Sequence, residues 1–220
     1  MYDAVCFDND GVLVSRTPYD LLQEAAWAAF EAAGVEEPAA EDVESMVIGV
    51  TPETVETVAR TYDLDPDDFW RRRDRVMSER QQAAVRDGRK SPYEDVGALA
   101  ALSVPMGIVS SNQQATVDFL VEYFGFEGFG VALGREPTIE SLRRRKPNPH
   151  YLERAVETLG GESVLFVGDN DSDIAAAEAA GVDSAFIRRP HRRRHDPEPT
   201  PTYVVEDLHE VVSLCRRAGP

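Results

Sequence analysis

Asp8 and Asp10 stand two residues apart in the stretch YDAVCFDNDGVLV, residues 2–14. The apolar run Ala4-Val5-Cys6-Phe7 leads into them and Gly11 follows. Such a run reads as a buried strand, and the glycine as a sharp turn just past its end. Two carboxylates are therefore expected at the carboxyl end of a strand, where open α/β sheets place their ligand sites. Clustered carboxylates repel one another, and a cation is the usual remedy. Taken alone, the same residues also fit a strand that simply ends in a turn, where Asp and Asn are common. More groups of this kind recur down the chain: Ser110-Ser111-Asn112 after an apolar run, Lys146 before Pro147-Asn148-Pro149, and Asp169 and Asp173 in GDNDSD. Each has a plain reading by itself. Ser110 to Asn112 suit a helix cap, Lys146 extends the basic run that starts at Arg143, and Asp171 and Asp173 complement a helix dipole.

Residues able to position these groups follow from hydrophobic patterning. From Thr17 to about Gly88 the pattern is helical. Leu21, Leu22, Ala25, Ala26, Ala29 and Phe30 recur at helical spacing up to Gly34. Further helices are expected at Glu41–Ile48, at Pro52–Tyr62 behind the Thr51-Pro52 cap, and at Pro66–Arg86. No strand is expected there, so 15–88 is read as an all-helical inserted cap, and 1–14 with 89–220 as the core. After Ser91 strands and helices alternate. Strands are expected at Pro105–Val109, Phe129–Leu133, Val164–Val167, Val182–Ile187 and Tyr203–Val205; helices at Ala115–Phe124, Pro149–Leu159, Ile174–Ala180 and Leu208–Cys215. That alternation means an α/β fold with a doubly wound parallel sheet. Pro190–Pro201 is expected to be a mobile surface loop.

Composition narrows the function classes. The chain has 220 residues, 42% hydrophobic and 29% charged, with a net charge of −17. Nucleic acid is therefore not the expected partner. Lysine is nearly absent: only Lys90 and Lys146 occur. The acid excess suggests adaptation to high salt, where screening is strong. Cys6 and Cys215 are too few for a disulfide framework, which points to a reducing cytoplasm. No signal peptide or membrane-spanning run is seen.

Taken together and in order, Asp8-x-Asp10-Gly11, the strand-end Ser110/Ser111, Lys146 and Gly168-Asp169-x-x-x-Asp173 resemble the four motifs of the haloacid dehalogenase-like (HAD) superfamily. The resemblance covers the whole chain, because the helical stretch after the first motif matches the family's cap on its Rossmann-like core. Length and cap type are similar to the phosphoglycolate phosphatase-like subgroup. The resemblance implies an Mg²⁺-dependent phosphatase acting on a small phosphorylated metabolite through an aspartyl-phosphate. Asp8 is then the nucleophile, and Asp10 the acid that protonates the leaving oxygen and afterwards the base for water. Ser110 holds a phosphoryl oxygen, with Gly11, Ser111 and Asn112 helping. Ser110 directly follows the apolar run, yet Ser111-Asn112 also fits the family's Ser/Thr-Asn pattern. Lys146 pairs with nucleophile and phosphate. Asp8, Asp169 and the backbone carbonyl of Asp10 hold the metal. Asp173 places a metal-bound water, with Asn170 a lesser candidate. A monomer or homodimer is expected.

Other classes fit less well. Haloacid dehalogenases characteristically lack the second aspartate of the first motif, and hexose-phosphate mutases look for a His early in the cap, where Ser15 to Asp20 reads SRTPYD. Receiver domains combine Asp, Ser/Thr and Lys without Asp-Gly and without a helical insertion. Two basic clusters remain. Arg188–His195 reads first as a loop tethering itself to acidic neighbours, and second as a phosphate-contacting patch. Arg71 to Arg75 are candidates for gripping an anionic substrate tail, although helical spacing spreads them around the helix. The four histidines show no clustering with cysteine that suggests zinc.

Overall fold

The computed structural model describes residues 2–216. In chain order, β1 (Ala4–Phe7) is followed by four helices, α1 (Tyr19–Ala32), α2 (Ala40–Ser45), α3 (Pro52–Thr61) and α4 (Pro66–Arg86). The alternation then runs β2 (Met106–Gln113), α5 (Gln114–Phe124), β3 (Phe129–Arg135), α6 (Ile139–Arg144), α7 (His150–Leu159), β4 (Val164–Gly168), α8 (Asp171–Ala180), β5 (Asp183–Ile187), β6 (Tyr203–Val205) and α9 (Leu208–Arg216). The strands form one parallel sheet in the order β3-β2-β1-β4-β5-β6.

A parallel sheet covered on both faces needs strands that are apolar on both sides. β1 meets this by alternation. Val5 and Phe7 pack in one layer with Ile108, Leu165 and Val167 beneath α9, while Ala4 and Cys6 pack in the other with Phe166 beneath Tyr151 and Leu152 of α7. The chain first builds outward from β1 to β3, then returns to start β4 on the other flank of β1. β1 and β4 therefore flank the point where the winding reverses, and ligands bind at the carboxyl ends of strands there.

The helical stretch has its own core, in which Ala25, Ala26, Phe30, Val43, Val55, Val58, Phe69, Trp70 and Met77 pack together. Its starts are set locally. The Thr51 and Asp65 side chains accept from Thr54 N and Asp68 N, at 3.2 and 2.8 Å, each ahead of a proline at the first helical position. The stretch joins the sheet through two linkers that lie side by side: Ser15 N donates to Ser91 O at 2.8 Å and Tyr93 N to Leu13 O at 3.0 Å.

Several expected boundaries move, for identifiable reasons. α2 stops at Ser45, not Ile48, because Arg73 captures the carbonyls of Met46 and Val47 and Gly49 then turns at a φ of 71°. β2 continues through Ser110, Ser111 and Asn112 to Gln113, with a register irregularity against β3, so these three residues end a strand and do not cap a helix. α6 was hidden in the basic run; Thr138 caps it by accepting from Ser141 N. The 190–201 segment, expected to be a mobile surface loop, makes contacts to the core through basic side chains, as described below. Among the described residues no helix is long and apolar enough to cross a membrane.

Candidate active site

Strand register brings the chemistry together. Phe7 pairs with Ile108 on one side and Val167 on the other, so Asp8 comes level with Val109 and Gly168, one residue short of Ser110 and Asp169. Asp8 N donates to Val167 O at 2.8 Å, which fixes the backbone there. Gly11 follows at a φ of 92°, in the left-handed region that favours glycine, and a Cβ on it would run into the Asp169 carboxylate. A Cβ on Gly168 would likewise strike the Asp173 side chain. Glycine at both positions leaves room for the carboxylates to close on one another.

At the centre is Lys146, which is 7% exposed. Its Nζ lies 2.5 Å from Asp8 Oδ1 and 2.7 Å from Asp173 Oδ1, and donates to Val109 O at 3.0 Å. The other oxygen of Asp173 accepts from the backbone N–H groups of Asp169 and Asn170, at 3.1 and 3.0 Å. Asp173 is thus fully engaged in holding Lys146 and the start of α8. Donor oxygens of Asp8, Asp169 and Asp173 all lie within 4.8 Å of one another. Burial pushes the Asp8 carboxyl well above its ordinary pKa; Lys146 opposes this, and Asp173 and Asp169 add to it. Burial raises Asp173 too, again against Lys146. Burial alone would lower Lys146, but its two carboxylates outweigh that and raise it.

Asp10 lines the same cavity, and its carboxylate is held by the second linker and the end of β2. One oxygen is ion-paired with Lys90 Nζ, and the other accepts from Asn112 Nδ2 at 3.0 Å. Lys90 also donates to Thr17 Oγ1 at 3.0 Å, and Asn112 Nδ2 donates to Gln81 Oε1 at 2.8 Å. Ser110 is buried and its hydroxyl accepts from Asn112 N at 3.1 Å; Ser110 and Ser111 both face the cavity. Asp8, Asp10, Ser110, Ser111, Asn112, Lys146, Asp169 and Asp173 all line this cavity, and Gly11 lies against Asp169.

Three contributors were not read from the sequence. Lys90 is the first. His191 is the second: its Nε2 lies 2.6 Å from Asp169 Oδ2, while His195 lies 2.7 Å from Asp171 Oδ1. The basic run thus tethers itself to acidic neighbours, the first of its two readings. Arg189 behaves likewise, donating to Asp95 at 2.7 Å and to Val12 O at 2.6 Å. The third is Arg145, which lines the cavity from the loop after α6. Of the cap arginines 71–75, only Arg73 lines the cavity.

The family model for haloacid dehalogenase-like hydrolases matches residues 2–181. A phosphoglycolate phosphatase of Neisseria gonorrhoeae is 32% identical over 192 residues, covering 84% of this chain and 79% of that protein. A pyrophosphatase PpaX of Oceanobacillus iheyensis is 26% identical over 125 residues, 56% of this chain and 57% of that one. In fold, CbbY from Rhodobacter sphaeroides, solved in complex with phosphate, superposes with a TM-score of 0.71 at 19% identity over 96% of each chain. The chain belongs to the haloacid dehalogenase-like hydrolases, in the phosphoglycolate phosphatase-like subgroup. It is accordingly an enzyme, a phosphatase.

Proposed function

We propose that the protein hydrolyses a small phosphate monoester through an aspartyl-phosphate on Asp8, with Mg²⁺ as cofactor. One observation carries the reading: buried Lys146 bridges Asp8 and Asp173, and donor oxygens of both lie within 4.8 Å of one on Asp169. A carboxylate held this way is fixed for in-line attack, and attacking oxygen and phosphoryl group are both served by the lysine charge.

The donor set suits magnesium. Three buried carboxylates face one lysine, leaving net negative charge made of hard oxygen donors. Asp8 and Asp169, with the backbone carbonyl of Asp10, would hold the ion. When bound, it neutralises charge on the phosphoryl oxygens and the nucleophile. Asp173 has both oxygens committed to protein donors, which suits orienting Lys146 and Asp169.

In the first half-reaction an Asp8 oxygen bonds to phosphorus as the bond to the leaving oxygen breaks, and Asp10 gives that oxygen its proton. In the second, Asp10 takes a proton from water, whose oxygen attacks phosphorus and frees Asp8. Asp10 must leave Lys90 and Asn112 to reach the leaving oxygen. A cap over residues 15–88, hinged at the paired linkers, provides that motion by opening for substrate and closing against water.

A quenched time course read by intact-protein mass spectrometry tests the assignment. Asp8→Asn is expected to form no phosphate adduct. Asp10→Asn with p-nitrophenyl phosphate, whose leaving group needs no proton, is expected to form the adduct and accumulate it, with turnover down by ~10²–10⁴-fold. Chelator is expected to suppress the adduct in the unmodified enzyme. An adduct on Asp8→Asn, or full turnover in Asp10→Asn, refutes the two roles. Running the assays at low and multimolar salt also tests whether the acid excess serves a high-salt cytoplasm.

A further inference from the structure

Asp169 is met by side chains from outside the four motifs. The family model ends at residue 181, and His191 lies beyond it, with Nε2 2.6 Å from Asp169 Oδ2. At that separation the ring donates an Nε2 proton to the carboxylate. Arg192 approaches the same oxygen. Its Nε is 3.8 Å away, buried and without a hydrogen-bond partner among the described residues. Both side chains turn to Oδ2, and no hydrogen bond reaches Oδ1 among the described residues.

The fold builds this contact in. Phe186 of β5 pairs with Gly168 of β4, so the chain leaves β5 beside Asp169. Arg188 N then donates to Val205 O at 2.8 Å, and the Arg189 guanidinium is tied to Asp95 and to Val12 O, just after Gly11. A short 3₁₀ turn over Pro190–Arg192 directs His191 back onto Asp169. On the far side, His195 lies 2.7 Å from Asp171 Oδ1, which also accepts from Glu198 N at 3.1 Å. His191 therefore sits between two anchors.

We propose that His191 is a positioning residue for the metal ligand Asp169, holding Oδ2 so that only Oδ1 is offered to a divalent cation, and that this restraint favours Mg²⁺ over Ca²⁺. The inference rests on the metal reading above and adds a residue that sets which ion is selected.

The physical reason lies in how the two ions use carboxylates. Mg²⁺ demands near-ideal octahedral geometry at ~2.0–2.1 Å and keeps several waters. Ca²⁺ accepts about six to eight oxygens at ~2.3–2.6 Å, and takes both oxygens of one carboxylate readily. An Asp169 able to rotate could present both. One whose Oδ2 is bonded to an anchored ring cannot do so without breaking that bond. Gly11 lies against the same carboxylate and narrows its movement further. Donor oxygens of Asp8, Asp169 and Asp173 lie within 4.8 Å of one another, so a small rotation of Asp169 alters the whole group. A tether alone predicts something different: removing His191 would loosen the segment and leave the choice of ion unchanged.

Calorimetric titration of Mg²⁺ and of Ca²⁺ into the chelator-treated, dialysed protein gives both dissociation constants without turnover. In His191→Ala, Mg²⁺ binding is expected to weaken ~10-fold, the lower end of what losing an outer-shell partner costs. Ca²⁺ binding is expected to weaken less, because it gains the second oxygen, so the preference for Mg²⁺ falls at least ~3-fold. His191→Gln, whose amide N–H can reach the same oxygen, is expected to keep most of the preference. His195→Ala loosens the same segment through Asp171 without touching Asp169, and is expected to keep all of it. Because a ratio is read, a general loss of stability or binding does not imitate the effect. A preference unchanged in His191→Ala, or lost equally in His195→Ala, overturns the role of His191 and leaves the metal reading intact. Binding of neither ion to the unmodified protein overturns the metal reading and this inference with it.

Discussion

Lys146 and Lys90 share a type that the chain otherwise avoids, and both are buried at the rim of the sheet, yet their surroundings differ. Lys146 is held by two carboxylates and a carbonyl, all from the sheet side. Lys90 has one carboxylate, Asp10, and otherwise touches Thr17 in the first linker and Gln81 on α4. The first is a counter-charge among the ends of β1 and β2 and the start of α8. The second links the loop after β1 to the first linker and to α4. A lysine stem carries its charge on a flexible four-carbon arm, which suits either task. What separates the tasks is which elements the partners come from.

The largest expected effect comes from removing the inner charge. Lys146→Met leaves Asp8, Asp169 and Asp173 facing one another uncompensated, and kcat is expected to fall at least ~10²–10³-fold, the scale of losing one preorganised electrostatic contact. Steady-state kinetics on p-nitrophenyl phosphate checks this; a loss below tenfold would break the contrast with Lys90. Lys90→Met is expected to cost less, ~10-fold in kcat, and to do so through Asp10. Its effect on an alkyl phosphate should therefore largely vanish in an Asp10→Asn background, a coupling that a double-mutant cycle reads directly. Additive losses would show that Lys90 acts elsewhere.

A third ion pair, between buried Arg189 and half-buried Asp95, gives the zero of the scale. Arg189 and Asp95 lie outside the cavity, with Arg189 stacked 3.9 Å over the Tyr93 ring and Asp95 also accepting from Leu208 N at the start of α9. Burial alone would raise the Asp95 pKa, but hydrogen bonds from Arg189 and Leu208 N outweigh it and the net shift is downward. A carboxyl with a depressed folded-state pKa stabilises the fold above its unfolded value, near ~4, and loses that contribution as pH falls through the folded value. Asp95→Asn is expected to lower stability by about 1–2 kcal/mol at neutral pH and by less in acid. Its kcat is expected to stay within twofold. Denaturant melts at pH 7 and pH 3.5 beside an activity assay check both halves.

The difference between the lysines also marks what the sequence makes legible. Lys146 stands out because a helix-starting Pro-x-Pro follows it and three other motifs are in register. The rarity of lysine applied equally to Lys90. There it was masked by Asp87-Gly88-Arg89, an exposed turn that makes its surroundings read as a solvated linker. Strands β1 and β4 were readable from their apolar runs to within a residue. The polar end of β2 was not, because pairing to β3 carries the strand past the point where hydrophobicity stops. His191 and Arg145 reach the site through loop geometry, which has no period to read. His191 sat in a run whose plain reading was correct as far as it went.

The paired linkers have a consequence for how such a chain can change. Residues 15 and 91 are neighbours in space, so the whole excursion between them starts and finishes at one hydrogen-bonded point. Beyond that point the helices touch the sheet through Gln81 on Asn112 and Asp74 on Arg135. The entropy of closing a flexible loop grows only slowly, by about 0.6 kcal/mol per doubling of its length. An insert of another length would therefore add little closure entropy, provided that it kept the contacts of Gln81 with Asn112 and of Asp74 with Arg135.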